Sequence, residues 1–198
     1  NINSYPFHNY SYASFPDNVS SAINSYINNI LLSFGPRNSK NFVFEQLFTP
    51  NNPEYFFQYL EKPKAIVVDR DPRDIYLLSK YVLRYESKRC VPTDTTEQFI
   101  TFFKSQRKQK NNADNVLHLN FEDIVYEYES TKEKIMRFLD LKEHSAPLKF
   151  FNPEISINNT QLFNIFKDDL SLINKELKDY FYPFENYKPV NNSPRGIF

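Results

Sequence analysis

The stretch AIVVDRDPRDIYLLS, residues 65–79, decides the fold of this chain. Its first four residues are apolar, and a short apolar run bounded by turn signals is typical of a strand buried on both faces of a parallel sheet. Pro72 suits the first turn of a helix, where the carboxylate of Asp74 is also favourable. The stretch therefore predicts a strand over 65–69, a tight turn, and a helix from Pro72 to about Tyr85.

Predicted strands and helices alternate on both sides of this stretch as well. Further strands are predicted near 42–45 and 116–119, and helices over 20–34, 53–61, 95–108, 123–141 and 170–181. Strands that alternate with helices predict an α/β domain with a central parallel sheet and helices on both faces. We expect one domain over 1–198, with an irregular arm at 1–20, a loop at 144–167 and an irregular tail at 184–198. Three strands are few, so an N-terminal strand, loop and helix are expected to be missing.

Composition limits the class of protein. The chain has 198 residues, 40% of them hydrophobic and 17% aromatic, which indicates a folded domain. Its net charge of zero argues against a broad nucleic-acid-binding face. No apolar run approaches the roughly 20 residues of a membrane span, and no signal peptide opens the chain, so we expect a cytoplasmic location. Cys90 has no partner for a disulfide, and the scattered histidines predict no metal site. The sequence does not determine the oligomeric state.

Arg70 follows the predicted strand directly. In open parallel sheets, ligands bind beyond the carboxyl ends of the strands, and helix N-termini there attract anions. A guanidinium in that crevice can grip a phosphate with two parallel hydrogen bonds. The alternative is that Arg70 pairs with Asp71 or Asp74 and ties down the turn. The favoured interpretation is a phosphate ligand.

Residues 70–74, Arg-Asp-Pro-Arg-Asp after a strand, resemble the second signature of the sulfotransferases that use 3'-phosphoadenosine 5'-phosphosulfate (PAPS). In that family this Arg, and a Ser eight residues later, hold the 3'-phosphate of the nucleotide. Here position 78 is Leu, and Ser79 is one step, about 100° of helix, out of that register. The family's glycine-rich loop for the 5'-phosphosulfate is absent, since the chain has only Gly35 and Gly196.

Three further segments resemble the family in order. Phe42-Val43-Phe44-Glu45 matches its strand ending in the catalytic base, so the resemblance implies that Glu45 is the base, although a plain surface carboxylate is the alternative. Residues 117–124 and 132–141 resemble its Glu-Asp element and the helix that follows. Residues 151–160 lie where a second nucleotide-contacting loop is expected, which implies contacts from Ser156 and Asn159.

The resemblance implies a P-loop-type fold and a sulfuryl transfer from PAPS to a hydroxyl, leaving adenosine 3',5'-bisphosphate. It points to a saccharide acceptor, such as a capsular glycan. Two alternatives stay open: a nucleotide-dependent kinase of the same broad fold, and a catalytically silent glycan- or protein-binding remnant. The basic residues Lys104, Arg107, Lys108 and Lys110 are either a solvated face or a contact for an acidic glycan.

Overall fold

The computed structural model describes residues 19–34, 41–45, 50–83, 91–107, 113–142, 151–166 and 168–190. The chain divides into two compact units, Asn1–Phe48 with Glu54–Pro63 and Thr49–Pro53 with Lys64–Phe198. Residues 1–18 of the predicted arm and 191–198 of the predicted tail lie outside the described residues, as does Cys90. The architecture is mixed α/β, and none of the described helices is long and apolar enough to cross a membrane.

The first unit contains helix α1, Val19–Phe34, which confirms the helix predicted over 20–34. Its apolar residues recur at helical spacing, yet none of its side chains is buried. A 3-10 helix, Pro53–Tyr59, begins at the proline that predicted a helix start.

The prediction of a strand near 42–45 is wrong. Residues 41–44 form no strand, and Glu45 lies in a bend. Val43 is 95% exposed and Phe44 is 47% exposed, so neither side chain belongs to a buried sheet face. A β-rich apolar run becomes a strand only when it finds a neighbour to pair with, and this run has none among the described residues.

Two of the predicted strands are present and form a two-stranded parallel sheet in the described structure. The predicted burial of 65–69 on both faces is wrong, because no residue of this strand is buried and Val68 is 51% exposed. Strand β1, Ala65–Asp69, pairs in parallel with strand β2, Val116–Asn120. The register places Asp69 opposite Asn120, so both strands end together and deliver the residues that follow, Arg70 and Phe121, to one edge.

The helix predicted from Pro72 to about Tyr85 divides in two. Helix α2, Pro72–Leu77, passes into a π-helical turn, Leu78–Val82, in which the Leu83 N–H donates to the Leu78 carbonyl at 2.8 Å. Helix α3, Thr96–Ser105, matches its prediction closely, because Thr95 accepts the Gln98 N–H and caps it.

The helix predicted over 123–141 begins earlier and is broken. Helix α4, Phe121–Tyr126, starts directly after β2, since Asn120 and Asp123 form a capping box. Helix α5, Tyr128–Leu139, follows a break at Glu127 and ends at Asp140, which has left-handed backbone angles (φ 56°).

The remaining elements are short. Within the predicted loop 144–167 lie helix α6, Pro153–Ser156, and the 3-10 turns Ile157–Asn159 and Leu162–Asn164. The helix predicted over 170–181 consists of α7, Ser171–Glu176, and a 3-10 turn, Lys178–Tyr180; a further turn spans Phe184–Asn186.

The core of the second unit joins these pieces. Its most deeply buried apolar side chains come from α2, α3, the 162–164 turn and α7, namely Leu77, Phe99, Phe103, Leu162, Ile173 and Leu177. This core fixes α2 against the segment after α6, and thereby the turn between β1 and α2.

Candidate functional site

The turn after β1 begins with an ion pair. The Arg107 Nε donates to both carboxylate oxygens of Asp69, at 3.1 and 3.0 Å, and Asp69 also accepts the Arg70 N–H at 2.9 Å. Arg107 therefore forms an ion pair within the fold and does not belong to a solvated basic face. Lys104 pairs with Glu176 at 2.8 Å, while Lys108 and Lys110 lie outside the described residues.

Asp71 is the N-cap of α2 and is almost fully buried. It accepts the N–H groups of Arg73 (2.9 Å) and Tyr182 (3.0 Å) and is gripped by the Arg73 guanidinium at 2.9 and 2.6 Å. That guanidinium lies against the rings of Phe163 and Phe181, at 4.0 and 3.9 Å. Arg73 is therefore held in a salt bridge with Asp71. The Arg73 N–H is used by the cap and is not a free anion donor.

The sequence favoured the Asp74 carboxylate in the first turn of α2, but this side chain does not cap the helix. Its carboxylate instead accepts the N–H groups of Gln161 and Leu162, at 2.8 and 2.7 Å. Burial raises the pKa of Asp74 to about 7, although the two N–H groups and Arg70 oppose the rise. Gln161 has a positive φ of 54°, which these contacts and its side-chain bonds to the Tyr126 hydroxyl and the Lys188 carbonyl hold in place.

Arg70 points into the buried region beyond β1. Its Nη2 donates to the carbonyl of Asn159, and its guanidinium lies 4.7 Å from the centre of the Phe121 ring. Its Nε is buried without a hydrogen-bond partner among the described residues. Burial lowers the pKa of Arg70, and the neighbouring carboxylates of Asp74, Glu122 and Asp71 oppose that shift.

None of those three carboxylates, all in described parts of the chain, forms an ion pair with Arg70. Asp71 is paired with Arg73, Asp74 accepts backbone N–H groups, and Glu122 accepts the Asp71 N–H at 2.9 Å. The alternative in which Arg70 ties down the turn by pairing with Asp71 or Asp74 therefore does not apply. Arg70 is a buried cation whose donors are only partly used.

The sequence does not single out Glu122, which belongs to the segment 117–124 that resembles the family's Glu-Asp element. It does lie in the first turn of α4, but its side chain is fully buried. Burial raises its pKa to about 7, and its Oε2 is buried without a partner among the described residues. The signal that could have found it is positional: it is the second residue after β2, as Asp71 is the second residue after β1.

The predicted site residues are only partly brought together. Arg70 and Asn159 are in contact, and Ser156 ends the short helix α6 that leads to Asn159. The contact uses the Asn159 carbonyl, whereas the side-chain Oδ1 is buried and unpartnered in the described structure. Ser79 is 3% exposed in the π-helical turn and makes no hydrogen bond to Arg70. Glu45 belongs to the first unit and is exposed.

Within the described ranges, no group of three or more His, Cys, Asp or Glu side chains is arranged to hold a metal ion. No protein-family model, curated protein or solved structure matches this chain.

Proposed function

We propose that this chain is the 3'-phosphate-binding part of a PAPS-dependent sulfotransferase with a P-loop-type fold, acting on a saccharide hydroxyl. The observation that carries the proposal is the state of Arg70. It is a guanidinium at the carboxyl end of a parallel strand, with a buried, unpartnered Nε among the described residues and no ion pair to the nearby carboxylates. Leaving a buried charged donor unpaired costs free energy, and a bound phosphate oxygen would satisfy it.

The contact between Arg70 and Asn159 supports the same proposal. These residues are far apart in the sequence, and the family resemblance assigns both to one phosphate site. The Arg70 Nη2 donates to the Asn159 carbonyl, so the turn after β1 and the segment after α6 are neighbours. Phe121 covers the guanidinium and limits its access to water.

The proposed reaction is an in-line transfer. The acceptor hydroxyl oxygen attacks the sulfur of PAPS, and the bond from sulfur to the bridging phosphate oxygen breaks with its electron pair going to the nucleotide. The hydroxyl proton passes to a general base. The products are the sulfated acceptor and adenosine 3',5'-bisphosphate.

The test is binding of adenosine 3',5'-bisphosphate and adenosine 5'-monophosphate to the full-length protein by isothermal titration calorimetry. We expect Arg70→Ala to weaken the bisphosphate by about 10- to 150-fold, the worth of a hydrogen bond to a charged group. The monophosphate, which lacks the 3'-phosphate, should bind the variant almost as it binds the wild type.

Arg70→Lys and Arg137→Ala are the matched variants. The lysine keeps the charge and should lose part of the affinity, because it cannot form two parallel hydrogen bonds. Arg137 is exposed on α5, and its removal should change neither affinity. Equal losses for both nucleotides in Arg70→Ala would make Arg70 a structural residue, and absence of nucleotide binding by the wild type would favour a silent remnant.

A further inference from the structure

Arg70 and Glu122 are two buried residues of opposite charge near the ends of β1 and β2. Each places one polar atom, Nε and Oε2, in the interior without a partner among the described residues. They lie close in the fold, because the Glu122 Oε1 accepts the N–H of Asp71, the residue after Arg70. Native proteins rarely leave such atoms unsatisfied, and two of opposite charge at one strand edge indicate a site completed by something else.

The other charged groups around Glu122 have fixed partners. Asp71 is neutralised by Arg73, and both oxygens of Asp74 accept backbone N–H groups. Tyr126, on the same helix as Glu122, is hydrogen-bonded to Thr160 at 2.6 Å. Among these groups Glu122 therefore has the carboxylate oxygen, Oε2, that no hydrogen-bond donor of the described structure occupies and that is free to take a proton.

We propose that an anion bound at Arg70 is taken up together with one proton, and that Glu122 carries that proton. This inference rests on the proposed function and concerns how the same site is regulated. In the free protein the Arg70 charge favours the Glu122 carboxylate. A bound phosphate cancels that charge and adds negative charge of its own, so the carboxylate becomes unfavourable and binds a proton.

The direction of the pH dependence follows from linkage. The pKa of Glu122 is about 7 in the free protein, and the bound anion raises it further. Between these two values binding takes up a proton, so affinity falls as the pH rises, by at most about tenfold per pH unit. Below about pH 7, Glu122 is already protonated and contributes no further change.

The experiment measures proton uptake when adenosine 3',5'-bisphosphate binds the full-length protein at pH 7.5. Calorimetry in HEPES and in Tris, buffers with different ionisation enthalpies, gives the number of protons from the change in observed heat. We expect about half to one proton for the wild type and close to none for Glu122→Gln. Because the phosphate has a second pKa of about 6, its own titration contributes equally to every protein and cancels in the comparison.

Two variants serve as controls. Asp74→Asn tests the other buried carboxyl, whose pKa burial also raises to about 7. It should keep the proton uptake, because both Asp74 oxygens already accept an N–H whereas the Glu122 Oε2 has no partner in the described structure. Glu129→Gln, exposed on α5, should keep it as well. Binding with the same uptake in Glu122→Gln, or loss of uptake in Asp74→Asn, would overturn the assignment to Glu122 while leaving the proposed function intact.

The wild type decides the question even if Glu122→Gln fails to fold. Nucleotide binding with heats that do not depend on the buffer would refute the coupling alone. No nucleotide binding at any pH between 6 and 8.5 would overturn both the proposed function and this inference.

Discussion

Helix α1 was predicted from apolar residues at helical spacing and helix α2 from Pro72 at its start, and the two helices differ in what holds them. In α1 no side chain is buried, and Leu32 and Phe34 are 58% and 86% exposed. In α2, Leu77 is fully buried, and the helix is fixed at its start by Asp71 and through Asp74. Local sequence thus predicts that a helix forms. Which part of the protein the helix packs against is decided by polar side chains, such as Asp74, that bind backbone groups far away in the sequence.

The largest expected effect is the loss of the Asp71 anchor. Asp71→Ala leaves the Arg73 guanidinium between two aromatic rings without its carboxylate and leaves the Tyr182 N–H unpaired. We expect the free energy of unfolding to fall by about 3–5 kcal/mol, as for a broken buried ion pair. Urea unfolding followed by circular dichroism measures it.

The control for that variant is Glu176→Ala, which breaks the more exposed pair with Lys104. It should cost less than about 1 kcal/mol. A similar loss in both variants would mean that burial of the Asp71 pair does not anchor α2.

A second pair of variants compares the two helices directly. Leu77→Ala should lower the free energy of unfolding by about 2–5 kcal/mol, since it leaves a cavity in the core. Leu32→Ala, the same change on the exposed face of α1, should stay within about 0.5 kcal/mol. Urea midpoints of the two variants test this. A large loss in Leu32→Ala would show that the α1 face is covered in solution.

The smallest expected effect is a pH dependence of the unfolding free energy that comes from Glu122. Helix α1 contains no carboxylate and contributes no such term. Burial raises the pKa of Glu122 from 4.5 to about 7. The folded state therefore holds a proton that the unfolded state has lost between these values. Stability from this group is complete below about pH 4.5 and falls as the pH rises through 7, by up to about 3 kcal/mol.

Glu122→Gln should remove this contribution. From pH 5 to pH 8 the wild type should therefore lose more unfolding free energy than the variant does. Denaturant titrations at both pH values measure the difference. Glu129→Gln, at an exposed site, should show no such shift. A constant difference for Glu122→Gln would place the Glu122 carboxyl in contact with water.

Local sequence predicted the elements whose signals are themselves local. The apolar run of β1, Pro72 at the start of α2 and Thr95 before α3 each act within a few residues, and all three elements are present. The run Phe42–Phe44 has an equally strong local signal and forms no strand. Pairing depends on a neighbouring strand, which a local pattern does not contain.

The site was predictable in part for the same reason. Arg70 was found from its position after a strand, but its neighbours come from residues roughly 50 to 90 positions later. The position of Glu122 after a strand does not indicate that it is buried beside Asp71, and nothing near Gln161 in the sequence indicates that it binds Asp74. The link between Arg70 and Asn159 came from the family resemblance and not from the spacing of residues.

The parallel pairing of β1 and β2 has a consequence for the order of folding. Ala65 is opposite Val116, so the pair can form only after roughly fifty residues of chain have closed into a loop. Helices α2 and α3 lie within that loop and can form from local contacts first, whereas the strand pair must wait for closure. Arg70 and Glu122 lie just beyond the ends of those two strands, so we expect the buried region around them to be among the last features to assemble on the folding pathway.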